Sequence, residues 1–249
     1  MKRRVFLRTT GTAGLGVLPV AGSINLAAQA AAPAGESSRP IVNGEPLTPP
    51  TRGKIRVAVA IAEHATVIDF AGPWEVFQDV QVPARGASHD EQMPFELYTV
   101  AATAEPIAVS GGMQIIPNYT VKNAPAPHVV VVPAQHENRM LLDWLSAIAP
   151  KTDVTFSVCT GAFLLAETGL LDGLPATTHH AAYDRFAREF PQVKLERGLR
   201  FVENRRLSTA GGLTSGIDLA LRVVERYFGR EIAQATADYM EYTGTRWKV

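Results

Sequence analysis

Cys159 is the only cysteine of the 249-residue chain, and its neighbours suit a reactive thiol. It lies in the segment SVCTG, residues 157–161, between an apolar run that predicts a strand and a run that predicts a helix. A nucleophile on a sharp strand-to-helix turn is the arrangement of a nucleophile elbow. Unpaired N–H groups at the start of a helix lower a cysteine pKa and favour the thiolate. We therefore predict that Cys159 is a functional nucleophile, the alternative being a small buried hydrophobic residue.

The residues that follow Cys159 suit the same chemistry. The N–H group of Thr160 is expected to hold negative charge that develops on a substrate. Gly161 removes side-chain bulk where helix and strand crowd together. The residue two before the cysteine is Ser157 rather than glycine, so the G-x-S-x-G pattern of hydrolases is not met.

Strands and helices alternate along the rest of the chain, which predicts a single α/β domain with a parallel sheet covered on both faces. A hairpin or short excursion is expected at 107–116. The predicted strands are residues 54–61, 95–100, 128–133, 154–158, 176–178 and 207–209. The predicted helices are one that opens with Pro73 in its first turn, then 138–148, 161–168, 182–189, 217–227 and 230–242.

The first residues have the composition of an export signal rather than of a folded domain. Arg3 and Arg4 precede a short apolar stretch and an A-x-A site at 28–30, which resembles a bacterial twin-arginine signal. The apolar stretch contains several glycines and fits a membrane span poorly, although an uncleaved N-terminal anchor is the alternative. We expect a signal peptide at 1–30, a disordered leader at 31–53, a domain at 54–249 and a periplasmic or secreted location.

Composition excludes several classes of function. The formal net charge is zero, so nucleic-acid binding driven by charge is disfavoured. A single cysteine cannot form an intrachain disulfide. Four histidines lack metal-ligand spacing with acidic residues or cysteine, and we predict no metal: His64, His89, His128 and His136.

Three further segments extend the pattern around the cysteine: GLLDG at 169–173, ATTH at 176–179 and TAGGLTSGIDLAL at 209–221. With SVCTG they resemble the ThiJ/PfpI superfamily of class I glutamine amidotransferase-like proteins, from about residue 55 to 242. Within the superfamily, the combination is most similar to the isocyanide hydratase branch. It is also similar to the ligand domain of certain AraC-type regulators. The resemblance implies a doubly wound, flavodoxin-like fold, no cofactor and a symmetric homodimer.

The resemblance also implies partners for the thiol. A carboxylic acid meets the cysteine sulfur in this family, and the matching residue is Asp69, in the D-x-x-G-P pattern of isocyanide hydratases. Capping of a helix that begins near Gly72 is the alternative role for Asp69. His179 matches a histidine found near the cysteine in several branches, where a Cys–His pair would activate the thiol. His180 is a weaker candidate.

The sequence departs from the family pattern at two places, which affect the expected anion-binding donors and the expected reaction. The usual Pro-Gly-Gly after the strand at 128–133 is replaced by Pro133-Ala134-Gln135, whose N–H groups at Ala134 and Gln135 are the expected anion-binding donors. The later His-x-Glu of amidotransferases is absent from the C-terminal half, which disfavours glutamine hydrolysis.

Three functions are compatible with these residues. The first is a cysteine-dependent hydratase or lyase that converts an isocyanide to an N-formamide through a thioimidate on Cys159. The second is a non-enzymatic ligand-binding or redox-sensing module with an oxidisable cysteine. The third is glyoxalase- or deglycase-type chemistry on small carbonyl compounds, against which the aspartate in place of glutamate argues. In each case the partner is a small molecule.

Overall fold

The structure, a computed structural model, describes residues 41–249. The predicted signal at 1–30 and residues 31–40 of the predicted leader lie outside this range. Within residues 41–249, no helix combines the length and apolar character that crossing a bilayer requires.

Eight strands of this part of the chain form one sheet in the order β1-β11-β12-β8-β7-β2-β3-β6. Neighbouring strands are parallel except for the antiparallel pair β11–β12. Two small ribbons, β4–β5 and β9–β10, lie apart from the sheet. The strands are β1 (Ile41–Val42), β2 (Ile55–Ala60), β3 (Phe95–Ala101), β4 (Ile107–Ala108), β5 (Gln114–Ile115), β6 (Tyr119–Thr120), β7 (Val129–Val132), β8 (Val154–Val158), β9 (Pro175–Ala176), β10 (Lys194–Leu195), β11 (Phe201–Asn204) and β12 (Leu207–Ala210).

Helices cover both faces of the sheet, which confirms the predicted α/β fold class. Alternate residues of β7 belong to two separate hydrophobic clusters, with Val129 and Val131 in one and Val130 and Val132 in the other. This double burial explains why the strand is continuously apolar. Helices α1, α6 and α7 pack on the first cluster and α3, α4 and α5 on the second. The helices are α1 (Val67–Gln78), α2 (His89–Gln92), α3 (Arg139–Ile148), α4 (Gly161–Glu167), α5 (Tyr183–Glu189), α6 (Ser215–Phe228) and α7 (Arg230–Tyr239).

The order of the sheet brings four chain segments to one edge. Strands β12, β8, β7 and β2 are adjacent and parallel, so their carboxyl ends lie side by side. The segments that follow them begin at Gly211, Cys159, Pro133 and Ile61. In open parallel sheets, ligands bind in the crevice outside these strand ends.

Helix α1 differs from its prediction. It begins at Val67, and Pro73 lies inside it rather than in its first turn. Proline has no N–H group to donate to the fourth preceding carbonyl, so it weakens the helix but does not stop it where tertiary packing is strong. Here Pro73 and its neighbour Gly72 are both buried. The earlier start places Asp69 in the first helical turn.

The predicted disordered leader is wrong for its last residues. Residues 41–47, which we call the N-terminal strap, lie on the edge of the sheet, where Ile41 and Val42 pair with β11. The strap covers a buried ion pair between Glu203 and Arg226, whose Oε1 and Nη1 atoms are 3.1 Å apart. Arg226 Nε donates to the carbonyl of Glu45 at 2.9 Å, and the N–H group of Leu47 donates to the carbonyl of Arg226 at 2.7 Å.

Substitution Gly44→Ala tests whether the strap is part of the fold. A Cβ at Gly44 would lie 2.1 Å from Glu203 Oε1, so the strap or the buried ion pair must shift. We expect the free energy of unfolding, measured by urea denaturation, to fall by about 1–3 kcal/mol. Glu45→Ala is the control, because its side chain is exposed and its main-chain contact is retained; it should change stability by less than about 0.5 kcal/mol. Equal effects of the two substitutions would contradict the assignment.

Candidate active site

Cys159 directly follows strand β8 and adopts a left-handed backbone conformation, with φ of 58°. Its N–H group donates to the carbonyl groups of Ala210 and Gly211, at 3.2 and 2.7 Å. Its own carbonyl accepts the hydroxyl of Thr178 at 2.9 Å. Left-handed backbone is costly for a residue with a side chain, and it recurs at functional sites where the surroundings enforce it. The predicted strand-to-helix elbow is therefore present and held from both sides.

Gly161 allows the elbow to approach the neighbouring strand end. A Cβ on Gly161 would lie 2.2 Å from the carbonyl oxygen of Val132 and 2.8 Å from that of Pro133. Both are main-chain atoms that cannot move aside cheaply. Glycine is thus required by packing, and its predicted place in substrate binding stays a prediction.

Asp69 is fully buried in the first turn of α1, where its carboxyl group contacts the side chain of Cys159. Its Oδ2 accepts the N–H group of Ala134 at 3.1 Å, while Oδ1 is buried and has no hydrogen-bond partner among the described residues. The residue before the helix is Thr66, so Asp69 is not a helix cap. Burial raises the pKa of Asp69 to about 7, against the opposing hydrogen bonds from Ala134 and Cys159.

The expected low pKa of Cys159 is wrong. Burial, together with the negative charge of Asp69, raises the pKa of the thiol. Hydrogen bonds to the sulfur from the N–H groups of Thr160 and Leu213, and from the hydroxyl of Thr160, oppose this rise without overcoming it. Desolvation in a packed interior and the charge of Asp69 thus outweigh the hydrogen bonds that favour the thiolate.

Two buried acids in contact behave as one titrating pair. Above about pH 7 the pair carries one negative charge, because ionising both groups would bury two like charges side by side. The shared proton can leave the sulfur as it attacks a carbon atom and can then be delivered to the product from the carboxyl group. The structure therefore brings together the nucleophile and proton carrier that the sequence suggested.

Leu213 is a functional contact that sequence reasoning missed. Its N–H group bonds the Cys159 sulfur, its backbone is left-handed with φ of 52°, and its side chain is exposed. The signal was the pair Gly211-Gly212 in the segment TAGGLTSG, which permits a tight turn at the end of β12. Leu213 and Thr160 thus supply the two amide donors at the sulfur.

Of the two predicted anion-binding donors after β7, the N–H group of Ala134 serves another contact, and the role of the Gln135 N–H group stays a prediction. The N–H group of Ala134 is taken by Asp69. The side chain of Gln135 bridges the end of β2, where it accepts the N–H group of Ala62 at 2.6 Å and donates to the carbonyl of Ala60 at 3.0 Å. Ala134 therefore positions the carboxyl group of Asp69, and the side chain of Gln135 fixes the loop that contains Ala134.

His179 does not form the predicted Cys–His pair, because no hydrogen bond joins it to Cys159 in residues 41–249. Its Nδ1 accepts the N–H group of Ala181 at 3.2 Å, and its ring lies 4.3 Å from that of His180. Burial and the neighbouring His180 lower the pKa of His179. It is a neutral side chain near neutral pH.

A cavity of about 390 Å³ lies beside the elbow, and His179 and His180 are part of its wall. Three other wall residues contact Cys159 directly, namely Thr178, Gly211 and Leu213. The cavity wall does not include Cys159 itself, so the cavity adjoins the elbow through these three neighbours. No group of three or more His, Cys, Asp or Glu residues that could hold a metal occurs in the described range.

Comparisons with known proteins identify sequences that are similar to this chain. The sequence model of the DJ-1/PfpI family matches residues 55–226. The isonitrile hydratase of Pseudomonas putida is 30% identical over 197 residues, which are 76% of this chain and 78% of that protein. The HTH-type transcriptional regulator GbdR of Pseudomonas aeruginosa is 26% identical over 206 residues, 80% of this chain. That match covers 54% of the regulator, so the chain spans about half its length.

Solved structures share the fold. A ThiJ/PfpI family protein from Pseudomonas syringae superimposes with a TM-score of 0.66 and 24% identity, and covers 78% of this chain and 77% of its own. Drosophila melanogaster DJ-1beta gives a TM-score of 0.64 with 17% identity, and covers 77% of this chain and 100% of its own.

The coupling between the two acids predicts the reactivity of the thiol. In Asp69→Asn the neighbouring negative charge is removed, so the pKa of Cys159 falls and alkylation by iodoacetamide at pH 8 accelerates by about 3- to 10-fold. Intact-mass spectrometry measures the rate, and Cys159→Ala, which leaves the chain without cysteine, gives the background. An unchanged or slower rate in Asp69→Asn would show that the two groups are not coupled.

The raised pKa of Asp69 also predicts how stability depends on pH. The folded state retains the proton up to about pH 7, whereas the unfolded chain releases it near pH 4. The associated stability is complete below pH 4 and is lost as the pH rises through 7. The free energy of unfolding of Asp69→Asn minus that of the wild type should therefore increase by on the order of 2–4 kcal/mol between pH 4 and pH 8. Urea denaturation tests this, with exposed Asp143→Asn as the control; a constant difference for Asp69→Asn would refute it.

Proposed function

Because the chain belongs to the DJ-1/PfpI family and holds a single cysteine against a buried carboxyl group, we propose that it is a cysteine-dependent hydratase that converts isocyanides to N-formamides. The contact between Asp69 and Cys159 carries this proposal. The similarity to an isonitrile hydratase supports the choice of substrate class.

The reaction needs one nucleophile and one proton carrier. The sulfur of Cys159 attacks the terminal carbon of the isocyanide, a C–S bond forms, and the proton of the pair passes through Asp69 to the same carbon. The product of this step is a thioimidate. Water then adds to the thioimidate carbon, the C–S bond breaks, and the N-formamide leaves as the proton returns to the pair. The sum is the addition of one water molecule, without an oxidant, a reductant or a cofactor.

Thr160 and Leu213 fit supporting roles in this sequence. Their N–H groups bond the sulfur in the resting state and can hold the negative charge that develops during attack. The hydroxyl of Thr160 also bonds the sulfur. Since the donors are already in place, little reorganisation is needed when the charge moves.

A ligand-binding role is the second candidate, and the match to transcriptional regulators favours it. Ligand binding requires the cavity but not the reactivity of Cys159. The redox-sensing version is disfavoured, because sensor thiols are exposed and of low pKa, whereas Cys159 is buried and its pKa is raised.

The test incubates the purified full-length protein with cyclohexyl isocyanide and quantifies the formamide by chromatography. We expect Cys159→Ala to abolish turnover and Asp69→Asn to lower kcat/KM by about 10²- to 10⁴-fold. For the wild type, kcat/KM should rise as the pH passes through about 7, where the pair loses its first proton, and fall at higher pH, where it loses the second.

Three outcomes would overturn the proposal. Equal formamide yields from the wild type and Cys159→Ala would remove the cysteine from the reaction. Saturable binding of the isocyanide without turnover would identify a ligand-binding module instead. Lactate formation from methylglyoxal, with no formamide from isocyanide, would identify glyoxalase-type chemistry.

A further inference from the structure

The cavity beside Cys159 carries an arginine that the proposed reaction does not use. Arg200 lies in the cavity wall with 31% of its side chain exposed. Its Nε donates to Asp218 Oδ2 at 2.8 Å, and Nη2 bonds the same oxygen. Asp218 itself is 1% exposed, so it anchors the guanidinium group from within the protein.

The contact with Asp218 leaves some N–H groups of the guanidinium group available to a ligand. Thr214 Oγ1 accepts Nη1 at 3.2 Å and Nη2 at 3.3 Å, and its own hydroxyl hydrogen remains available for donation. A guanidinium group has five N–H donors in a planar fork. Its partners here are one carboxylate oxygen of Asp218 and the hydroxyl groups of Thr214 and Tyr242, and 31% of the Arg200 side chain remains exposed. Arg200 is one of the residues that line the cavity.

His179 adds a further donor to the same cavity. Since its Nδ1 accepts the N–H group of Ala181, the neutral ring carries its proton on Nε2. The ring packs on Gly212, where a Cβ would lie 2.3 Å from its Cδ2 atom. The packing holds the imidazole within the cavity wall.

The reacting sulfur and Arg200 both contact the segment that follows β12. Leu213 donates its N–H group to the sulfur, and Thr214, the next residue, accepts from Arg200. Two hydrogen bonds and one residue step limit the distance between the sulfur and the guanidinium group to about 13 Å. A molecule with a few bonds between its reactive carbon and an acceptor group spans such a distance.

From this arrangement we infer that Arg200 binds an anionic group of the substrate, so that the preferred substrates are small electrophiles with a carboxylate a few bonds from the reacting carbon. The inference rests on the proposed function in one respect only, namely that the electrophile is an isocyanide. A guanidinium fork that is fixed by a buried carboxylate is pre-organised for a second carboxylate, and charge-assisted hydrogen bonds are the strong ones.

The first test compares isocyanoacetate with its neutral methyl ester. In the wild type, kcat/KM should favour the anion, and Arg200→Gln should lower kcat/KM for the anion by about 10- to 100-fold. The value for the ester should change by less than about threefold. Arg197→Gln is the matched control, because Arg197 lies three residues away, pairs with Asp184 at the surface and does not line the cavity.

Loss of Arg200 leaves the buried Asp218 without its partner, which can unfold the protein. The double variant Arg200→Gln/Asp218→Asn removes both charges and keeps the test valid. Arg200→Lys retains the charge without the fork and should recover part of the preference for the anion. Equal losses for the anion and the ester in the folded double variant would give Arg200 a structural role only and overturn the inference.

The second test does not depend on hydratase activity. Iodoacetate and iodoacetamide form the same C–S bond with release of iodide but differ in charge, and Cys159 is the only cysteine that they can alkylate. The rate with iodoacetate is divided by the rate with iodoacetamide, and this ratio is normalised to the same ratio for glutathione. It should be higher in the wild type than in the double variant by about 10-fold or more. An equal ratio overturns the inference. If the wild type hydrates no isocyanide but shows the ratio change, the proposed function fails and the anion site stands.

Discussion

The left-handed backbone of Cys159 is the constraint on which the site depends. A φ of 58° costs on the order of 1–2 kcal/mol in a residue with a side chain. The cost is offset by contacts from two neighbouring segments, since Ala210 and Gly211 accept its N–H group and Thr178 donates to its carbonyl. The strand order that brings β12 beside β8 is what makes these contacts possible. As a result, the sulfur is fixed at the edge where the segment after β2 delivers Asp69.

The second determinant is the burial of two acids in contact. Asp69 is placed by α1 and held by the N–H group of Ala134, and its carboxyl group raises the pKa of the Cys159 thiol in addition to the effect of burial. A low-pKa thiolate would be reactive toward any oxidant, whereas a pair that shares one proton reacts where attack and protonation occur at the same carbon. This is the requirement of adding S–H, and then water, to an isocyanide carbon. In the proposal above, Arg200, which Asp218 anchors in the cavity wall, is the group that would select among such electrophiles.

Periodicity and turn chemistry were sufficient to predict the sheet and the elbow, because buried parallel strands and a strand-to-helix turn have local signatures. The approach of Asp69 to the sulfur has no such signature and was predicted only from the resemblance to the family. The remaining features depend on tertiary contacts. The early start of α1 was obscured by Pro73, whose local preference is overridden by packing. The N-terminal strap forms a strand too short to show periodicity. Leu213 contacts the sulfur through its N–H group, and every residue except proline has one, so the residue type gives no signal. The pKa of Cys159 depends on how deeply the thiol is buried, which the sequence does not specify.

A titration of the thiol tests the central claim most directly, namely that Cys159 and Asp69 share one negative charge. Cysteine labelled with ¹³C at Cβ gives a single resonance, because the chain contains one cysteine. The account predicts that this resonance moves in two steps, a small one near pH 7 as Asp69 ionises and a large one above the usual thiol range, and that Asp69→Asn loses the first step and brings the second to lower pH. A thiolate already formed at pH 6 and unaffected by Asp69→Asn would contradict it.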